Sequence, residues 1–111
     1  MPQPTFFIKQ NDDRPHLDAF LRDDKDRPVD ITGASVKFHL RSVADNSVKI
    51  TDGSVSVTNA TEGAVRFEWS ASNTDTSGNY QGEFQVTFTD ASVETFPNDG
   101  YVKVVITDDV A

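Results

Sequence analysis

The chain has 111 residues, no cysteine and a formal net charge of −8 at pH 7. A chain of this length is typical of one domain, so we expect residues 1–111 to fold as a single unit. The lack of cysteine excludes disulfides and zinc–thiolate sites. The acidic surface repels nucleic-acid backbones, and no segment approaches the roughly 20 apolar residues of a membrane helix. The sequence therefore argues against nucleic acid and membrane as partners.

The residue types favour β-sheet over helix. The chain contains 13 Val, 4 Ile and 11 Thr against 3 Leu and 1 Met. Branching at Cβ suits a strand and restricts χ1 in a helix, whereas Leu and Met are common in helical cores. The N-terminal sequence Met1-Pro2-Gln3-Pro4 lacks the basic and apolar regions of a signal peptide, so we expect the chain to be a complete protein.

Alternating apolar and polar residues, separated by turn signals, predict a series of short strands. In chain order, we expect strands at residues 5–10, 16–22, 34–41, 47–50, 54–58, 65–69, 79–89, 93–96 and 101–107. Asp52-Gly53 predicts a tight hairpin between the fourth and fifth strands, because both residues tolerate positive φ. No window has a sustained 3.6-residue period, so helix is limited to a turn or two.

The longest predicted strand begins with a tyrosine after a polar turn. Asp75 opens this turn, and Tyr80 enters the strand, which is the pattern of the tyrosine corner in Greek-key sandwiches. Antibody domains have a cysteine two residues later, where this chain has Gly82. Trp69 falls on the inward side of its strand, so we expect it in the core. These features predict an all-β, antiparallel immunoglobulin-like sandwich of about seven to nine strands without a disulfide.

Several blocks of sequence resemble a known family. They are Phe6-Phe7-Ile8-Lys9 and residues 27–38 (RPVDITGASVKF), 63–69 (GAVRFEW), 75–84 (DTSGNYQGEF) and 94–101 (ETFPNDGY). In this order and spacing, they resemble the immunoglobulin-like domain at the N-terminus of the baseplate upper protein of tailed phages. This domain also occurs as short stand-alone phage and prophage proteins. The resemblance covers nearly the whole chain.

The resemblance implies a non-enzymatic virion structural protein that is made in the host cytoplasm and binds other virion proteins. It carries no catalytic residues over to this chain. In the baseplate protein the domain is followed by further elements, whereas this chain ends at Ala111. Capsid decoration, a neck position and a tail or baseplate adaptor therefore all stay open, as does association of several copies. The alternative function is a carbohydrate-binding or adhesive surface module, since such sandwiches host many functions.

The residues form no recognisable catalytic, cofactor or metal site. Acidic runs at 12–13, 23–26 and 108–109 offer oxygen ligands, but they lack the glycine and distal glutamate of an EF-hand loop. Asx hydrogen bonds within turns are the favoured interpretation. His16 and His39 are not accompanied by a nucleophile-elbow motif, and no glycine-rich phosphate loop is present. We therefore expect no enzyme activity, no metal and no cofactor.

Two aromatic side chains are predicted to lie outside the core near the N-terminus. Phe7 and Phe20 fall on the opposite side of their strands from the neighbouring apolar residues. Uncovered edge strands tend to pair with other chains, and exposed aromatic residues are common at protein contacts. Tyr101 and Val105 also face outward in the predicted pattern. These four are the candidate partner contacts; the alternative is that the first strand buries both of its faces.

Overall fold

The computed structural model describes residues 5–110, and Met1-Pro2-Gln3-Pro4 lies outside the described residues. This range contains eight strands and no helix, which confirms the all-β prediction. It therefore holds no helix that could cross a membrane. The strands are β1 (Thr5–Lys9), β2 (Leu17–Phe20), β3 (Ser35–Ser42), β4 (Val48–Asn59), β5 (Ala64–Phe67), β6 (Gly78–Thr87), β7 (Val93–Phe96) and β8 (Val102–Thr107).

The strands form one mixed, nearly closed, barrel-like sheet. Hydrogen-bonded neighbours follow the order β1-β8-β6-β3-β4-β5-β2, and β7 pairs with β6 beside this path. Every pair is antiparallel except β1 with β8, which run parallel from the Thr5–Lys103 pair to the Lys9–Thr107 pair. The prediction of a wholly antiparallel arrangement is therefore wrong at this edge. Parallel neighbours need a long connection, and here the strands between β1 and β8 supply it.

The predicted hairpin at Asp52-Gly53 is also wrong. β4 runs without interruption from Val48 to Asn59, pairing first with β3 and then with β5. A type I′ hairpin turn needs positive φ at both central residues. Asp52 has a φ of 55°, but Gly53 is not among the residues with positive φ, so the chain bends there and does not reverse. The two predicted strands on either side of this point are consequently one bent strand that links both halves of the sheet.

β6 is flanked along one edge by two short strands. β7 pairs with the second half of β6, from Phe84 to Thr87, and β8 pairs with the first half, from Gly78 to Gly82. Residues 97–101 separate β7 from β8 and leave the line of the sheet. This interruption creates an irregular rim where β8 begins.

The inner faces of the strands meet in an aromatic core. Phe38, on β3, is fully buried, and its ring centroid lies 4.7 Å from that of Phe67 and 5.0 Å from that of Phe84. Trp69 packs edge-on against Phe67 at 5.0 Å. Such pairs contribute about 0.5–1.5 kcal/mol each beyond the burial of their area. Because the inner faces form the core, the outer faces, open edges and loops are what the domain offers to partners.

Candidate protein-docking surfaces

The edge strand β1 exposes an aromatic side chain beside β8. Phe7 pairs with Val105 in the parallel ladder, and their inward neighbours Ile8 and Ile106 are buried. The Phe7 side chain is 60% exposed, and Val105 is half-buried. β1 therefore does not bury both of its faces. Phe7 and Val105 form a small apolar area on the outer face of the sheet, which we call the edge patch.

Lysines border the edge patch at both ends. On the outer face, Lys103 precedes Val105 by two residues on β8, and Lys9 follows Phe7 by two residues on β1. Both lysines are exposed. Side chains two residues apart on a strand share a face, so these cations lie in line with the apolar pair. The patch thus has an apolar centre and a basic border.

Tyr101 joins the same outer face through a neighbouring arginine. The Arg41 guanidinium carbon lies 5.2 Å from the centroid of the Tyr101 ring, within cation–π distance. Arg41 Nη2 also donates a hydrogen bond to Gln81 Oε1 at 2.7 Å, and Gln81 pairs with Lys103 across β6 and β8. Tyr101 is 40% exposed. Its ring and the arginine therefore hold each other in place next to the edge-patch strands.

A shallow cavity of about 440 Å³ lies on this outer face beside Tyr101; we call it the polar cavity. Its polar lining consists of His39, Arg41, Thr51, Gln81, Glu83 and Gln85. The Asp52 backbone N–H donates to His39 Nδ1 at 3.2 Å, and His39 Nε2 lies 3.3 Å from Gln85 Oε1. The His39 ring therefore connects Asp52 of β4 with Gln85 of β6. The cavity is thus lined by side chains that already hold one another in place.

Phe20 lies on a different surface. The Phe20 side chain is 61% exposed and borders a cavity of about 580 Å³ between β2 and the connection from β7 to β8. We call this cavity the seam groove. One wall comprises residues 19–24 and Asp26, the other residues 96–99 and Val102, with Phe84 between them. The Arg22 guanidinium carbon lies 5.6 Å from the centroid of the Phe20 ring.

The four candidate contact residues therefore do not form one surface. Phe7, Val105 and Tyr101 lie on the outer face formed by β1, β8, β6 and β3, whereas Phe20 lies on β2. β1 and β2 stand at opposite ends of the strand order. The sequence pattern identified all four residues as outward-facing, and strand pairing divides them between two surfaces.

Tyr80 forms the contact that its sequence position predicts. Its hydroxyl donates a hydrogen bond to the carbonyl oxygen of Thr76 at 2.7 Å, and the residue is 5% exposed. Burial raises the pKa of Tyr80, so the hydroxyl stays a donor. Asp75 lies in the same turn, where it pairs with Lys49 and accepts a hydrogen bond from the Thr76 hydroxyl. The hydrogen bond from Lys49 lowers the pKa of Asp75.

Trp69 and Gly82 both lie against the core. Trp69 is 4% exposed and stacks on Phe6 with 5.7 Å between ring centroids. Its Nε1 is buried without a hydrogen-bond partner among the described residues. A Cβ placed on Gly82 would lie 2.9 Å from Cζ of Phe38, so the Phe38 ring occupies the space that a side chain at this position would need. Neither residue is available to a partner.

In the acidic loops, aspartate side chains accept hydrogen bonds from backbone N–H groups of the same loop. Asp30, Asp45 and Asp90 each accept hydrogen bonds from the backbone N–H and the hydroxyl of the residue two positions later. Their pKa values are lowered, chiefly by the hydroxyl hydrogen bond. Asp23 accepts from the backbone N–H groups of Lys25 and Arg27. Within residues 5–110, no three His, Asp or Glu side chains are grouped to hold a metal ion.

Sequence reasoning missed both cavities. The polar cavity combines side chains from β3, β4 and β6 with Tyr101, and the seam groove combines β2 with residues 96–99. Arg41, Gln81 and Gln85 do face outward in the alternating pattern, which is a usable signal for the first cavity. The seam groove has no such signal in the sequence, because it depends on which strand edge has no neighbouring strand.

The described residues form a small all-β, barrel-like sheet with an exposed apolar patch and two surface cavities. The family model of the BppU N-terminal domain matches residues 4–97, and the chain belongs to this family. Membership confirms the resemblance to the phage baseplate upper protein. It implies a structural component of the phage baseplate, and hence a part of the virion with other virion proteins as partners. No curated protein matches the chain.

Proposed function

We propose that this protein is a non-enzymatic adaptor of the baseplate, which attaches to a neighbouring virion protein through the edge patch. The observation that carries the proposal is Phe7, a 60% exposed aromatic side chain on an edge strand beside Val105. Aromatic side chains at the centre of an interface contribute much of its binding energy. Phe7 is not needed to fill the core of the domain, because its neighbours Phe6 and Ile8 face the core.

The charges around the edge patch indicate an acidic partner surface. The outer face of β1, β3, β4, β6 and β8 carries four of the ten Lys and Arg residues of the chain but only two of its 18 Asp and Glu residues. These residues are Lys9, Lys37, Arg41 and Lys103, with Glu83 and Asp52. Complementary charge increases the association rate and fixes the orientation of a complex. A basic face on a protein of net charge −8 is therefore the face suited to an acidic partner.

We also infer that the fold is of the immunoglobulin-like type, and the order of the strands supports this. β3, β6 and β8 follow one another as strands C, F and G do in an immunoglobulin sheet, and β4, β5 and β2 follow one another as D, E and B do. Tyr80 occupies the tyrosine-corner position at the start of β6. In this view β4 joins the two sheets of a sandwich at its bend.

The test is incorporation of Phe7→Ser protein into particles. We expect the variant to fold but to be lost from purified virions, whereas Val57→Ser is retained, because Val57 is an exposed apolar residue on β4 away from the edge patch. Mass spectrometry of dissected particles should find the native chain with the baseplates. Recovery with capsids or necks would replace the adaptor role by decoration, and absence from every particle fraction would overturn a virion role.

A second candidate function is saccharide binding at the polar cavity. The observation that favours it is an exposed aromatic ring, Tyr101, beside planar polar side chains such as Arg41 and Gln85. Sugars offer hydroxyl groups to such side chains and an apolar ring face to an aromatic residue. Saturation-transfer NMR with host-surface oligosaccharides is the test. Binding that Tyr101→Ala abolishes and Phe7→Ser leaves intact would establish this function, and no signal with any sugar would remove it.

A further inference from the structure

We propose that the seam groove binds an extended segment of another virion protein, which adds to β2 as a further strand and carries alternating apolar and basic residues. The inference rests on the proposed function only in that the partner belongs to the virion. Its site is separate from the edge patch, because the groove lies along β2 and the patch lies on β1 and β8.

One edge of β2 is open. This strand pairs with β5, and none of the strands within residues 5–110 pairs with its other edge. Leu21 N–H donates to the Gly63 carbonyl, so by antiparallel alternation the Asp18 and Phe20 backbone groups point away from β5. Two N–H and two C=O groups therefore face the open side. β2 is four residues long, an edge of about 13 Å.

The groove lies beside a part of β8 that β1 does not cover. β1 covers β8 from Lys103 onward, because Thr5 is paired with Lys103. The groove is lined by the preceding residue, Val102, together with core residues Phe84 and Phe96. It thus lies beside the start of β8, before the stretch that β1 pairs with. An added strand would pair with β2 and place alternate side chains on this apolar floor.

The rim of the groove is acidic. Four carboxylates line the groove, those of Asp23, Asp24, Asp26 and Asp99, against a single cation, Arg22. Asp23 is already paired with Arg27, but the other three form no ion pair within residues 5–110. Outward side chains of an added strand would lie beside these carboxylates. The groove therefore selects basic residues at alternate positions.

A virion protein with a basic segment fits the groove better than a second copy of this acidic chain. A second copy carries a net charge of −8, and its approach to an acidic rim is opposed by repulsion. Strand addition gives affinity through main-chain hydrogen bonds and specificity through alternate side chains. A segment of alternating apolar and basic residues satisfies both requirements.

The experiment is an NMR titration of the full-length protein with two synthetic eight-residue peptides, one of alternating Val and Lys and one of alternating Val and Glu. We expect the Val–Lys peptide to slow hydrogen exchange of the Asp18 and Phe20 amides by about tenfold or more, and the Val–Glu peptide to have no effect. Added salt should weaken binding because the rim charges are screened. The Asn98, Asp99 and Val102 signals should shift together with those of β2.

Matched variants separate main-chain pairing from side-chain contact. Phe20→Thr keeps the N–H that faces the open edge, whereas Phe20→Pro removes it; proline is tolerated at such an edge position. We expect Phe20→Pro to bind the Val–Lys peptide about tenfold more weakly than Phe20→Thr, as one lost charge-neutral hydrogen bond predicts. The double change Asp24→Asn with Asp26→Asn, which leaves the strand intact, should also weaken binding severalfold.

Several results would overturn the proposal. Equal binding of the two peptides would remove the charge argument, and equal affinity of Phe20→Pro and Phe20→Thr would remove strand addition. Dimers that dissociate in Phe20→Pro protein without peptide would assign the groove to a second copy. Binding only after removal of residues 1–4 would assign it to the chain's own N-terminus. Phe7→Ser should leave peptide binding unchanged, so failure here and failure of the edge-patch proposal are distinguishable.

Discussion

The Tyr80 hydroxyl donates a hydrogen bond of 2.7 Å to the Thr76 carbonyl oxygen, four residues earlier in the chain. This bond joins the end of a turn to the start of β6, the strand that pairs with β3, β7 and β8. The turn that it closes also contains Asp75, which binds Lys49 of β4. One tyrosine therefore links the turn to the strand that pairs with three others.

Replacing Tyr80 by phenylalanine should lower the free energy of unfolding by about 1 kcal/mol, because the ring is kept and only the hydroxyl bond is lost. Urea denaturation followed by Trp69 fluorescence measures the change. Tyr101→Phe is the matched control, since Tyr101 is exposed and should change stability by less than about 0.5 kcal/mol. Equal losses in the two variants would show that the hydroxyl bond of Tyr80 does not stabilise the fold.

Replacing Gly82 by alanine should destabilise the protein by about 1–3 kcal/mol, because the new Cβ would lie 2.9 Å from the Phe38 ring and 3.3 Å from Leu40 Cδ1. The cost should fall when Phe38 is shortened to leucine, since the ring is the obstacle. A double-mutant cycle by urea denaturation measures this coupling. Additive effects of the two substitutions would mean that Gly82 is required for a reason other than the Phe38 ring.

Phe6 and Phe7 are adjacent but should respond differently to alanine. Phe6 stacks on Trp69 and is half-buried, so Phe6→Ala should cost about 2 kcal/mol, less than a fully buried phenylalanine. Phe7→Ala should change the free energy of unfolding by no more than about 0.5 kcal/mol, because the side chain is largely exposed. Denaturation of both variants is the measurement. Similar losses would contradict the exposure on which the edge patch depends.

Acid should destabilise the domain through its Asx turns. The Ser92 hydroxyl and N–H hold the pKa of Asp90 below its ordinary 3.8, so the unfolded chain takes up the proton first as the pH falls. The stabilisation is complete above pH 3.8 and is lost as the pH falls through the folded-state pKa. Asp90→Asn keeps the acceptor oxygen but does not titrate. We expect urea denaturation of this variant to show a smaller loss between about pH 5 and pH 2.5 than the native protein, and coincident curves would refute the assignment.

Several elements of the fold could be predicted from local pattern. Strict alternation placed Val36, Phe38 and Leu40 of β3 on the inner face, and all three are buried. The same rule separated Phe7 from Phe6 and Ile8. These predictions succeed because the side chains of a strand alternate between its faces whatever the strand pairs with. The resemblance of five sequence blocks to the baseplate family could likewise be recognised, and the family match confirms it.

The order of the strands could not be predicted in this way. Asp52-Gly53 has the residues of a hairpin, but the chain continues, because β4 stays paired with β3 through Gly53 and Ser54 and pairs with β5 from Val55 onward. The parallel contact of β1 with β8 joins residues about 98 positions apart, and no local pattern encodes it. Pairing between distant strands is decided by which arrangement buries the inner faces together.

By itself, the sequence determined an all-β chain of short strands, the inner and outer sides of those strands, the tyrosine at the head of β6 and the family to which the chain belongs. Only the tertiary structure decided that Phe7 and Val105 share a patch, that Phe20 lies on a separate surface, and that the groove beside β2 exists. The physical reason is that a side chain's face follows from the two-residue period of its own strand, whereas its neighbours follow from the pairing of strands far apart in the chain.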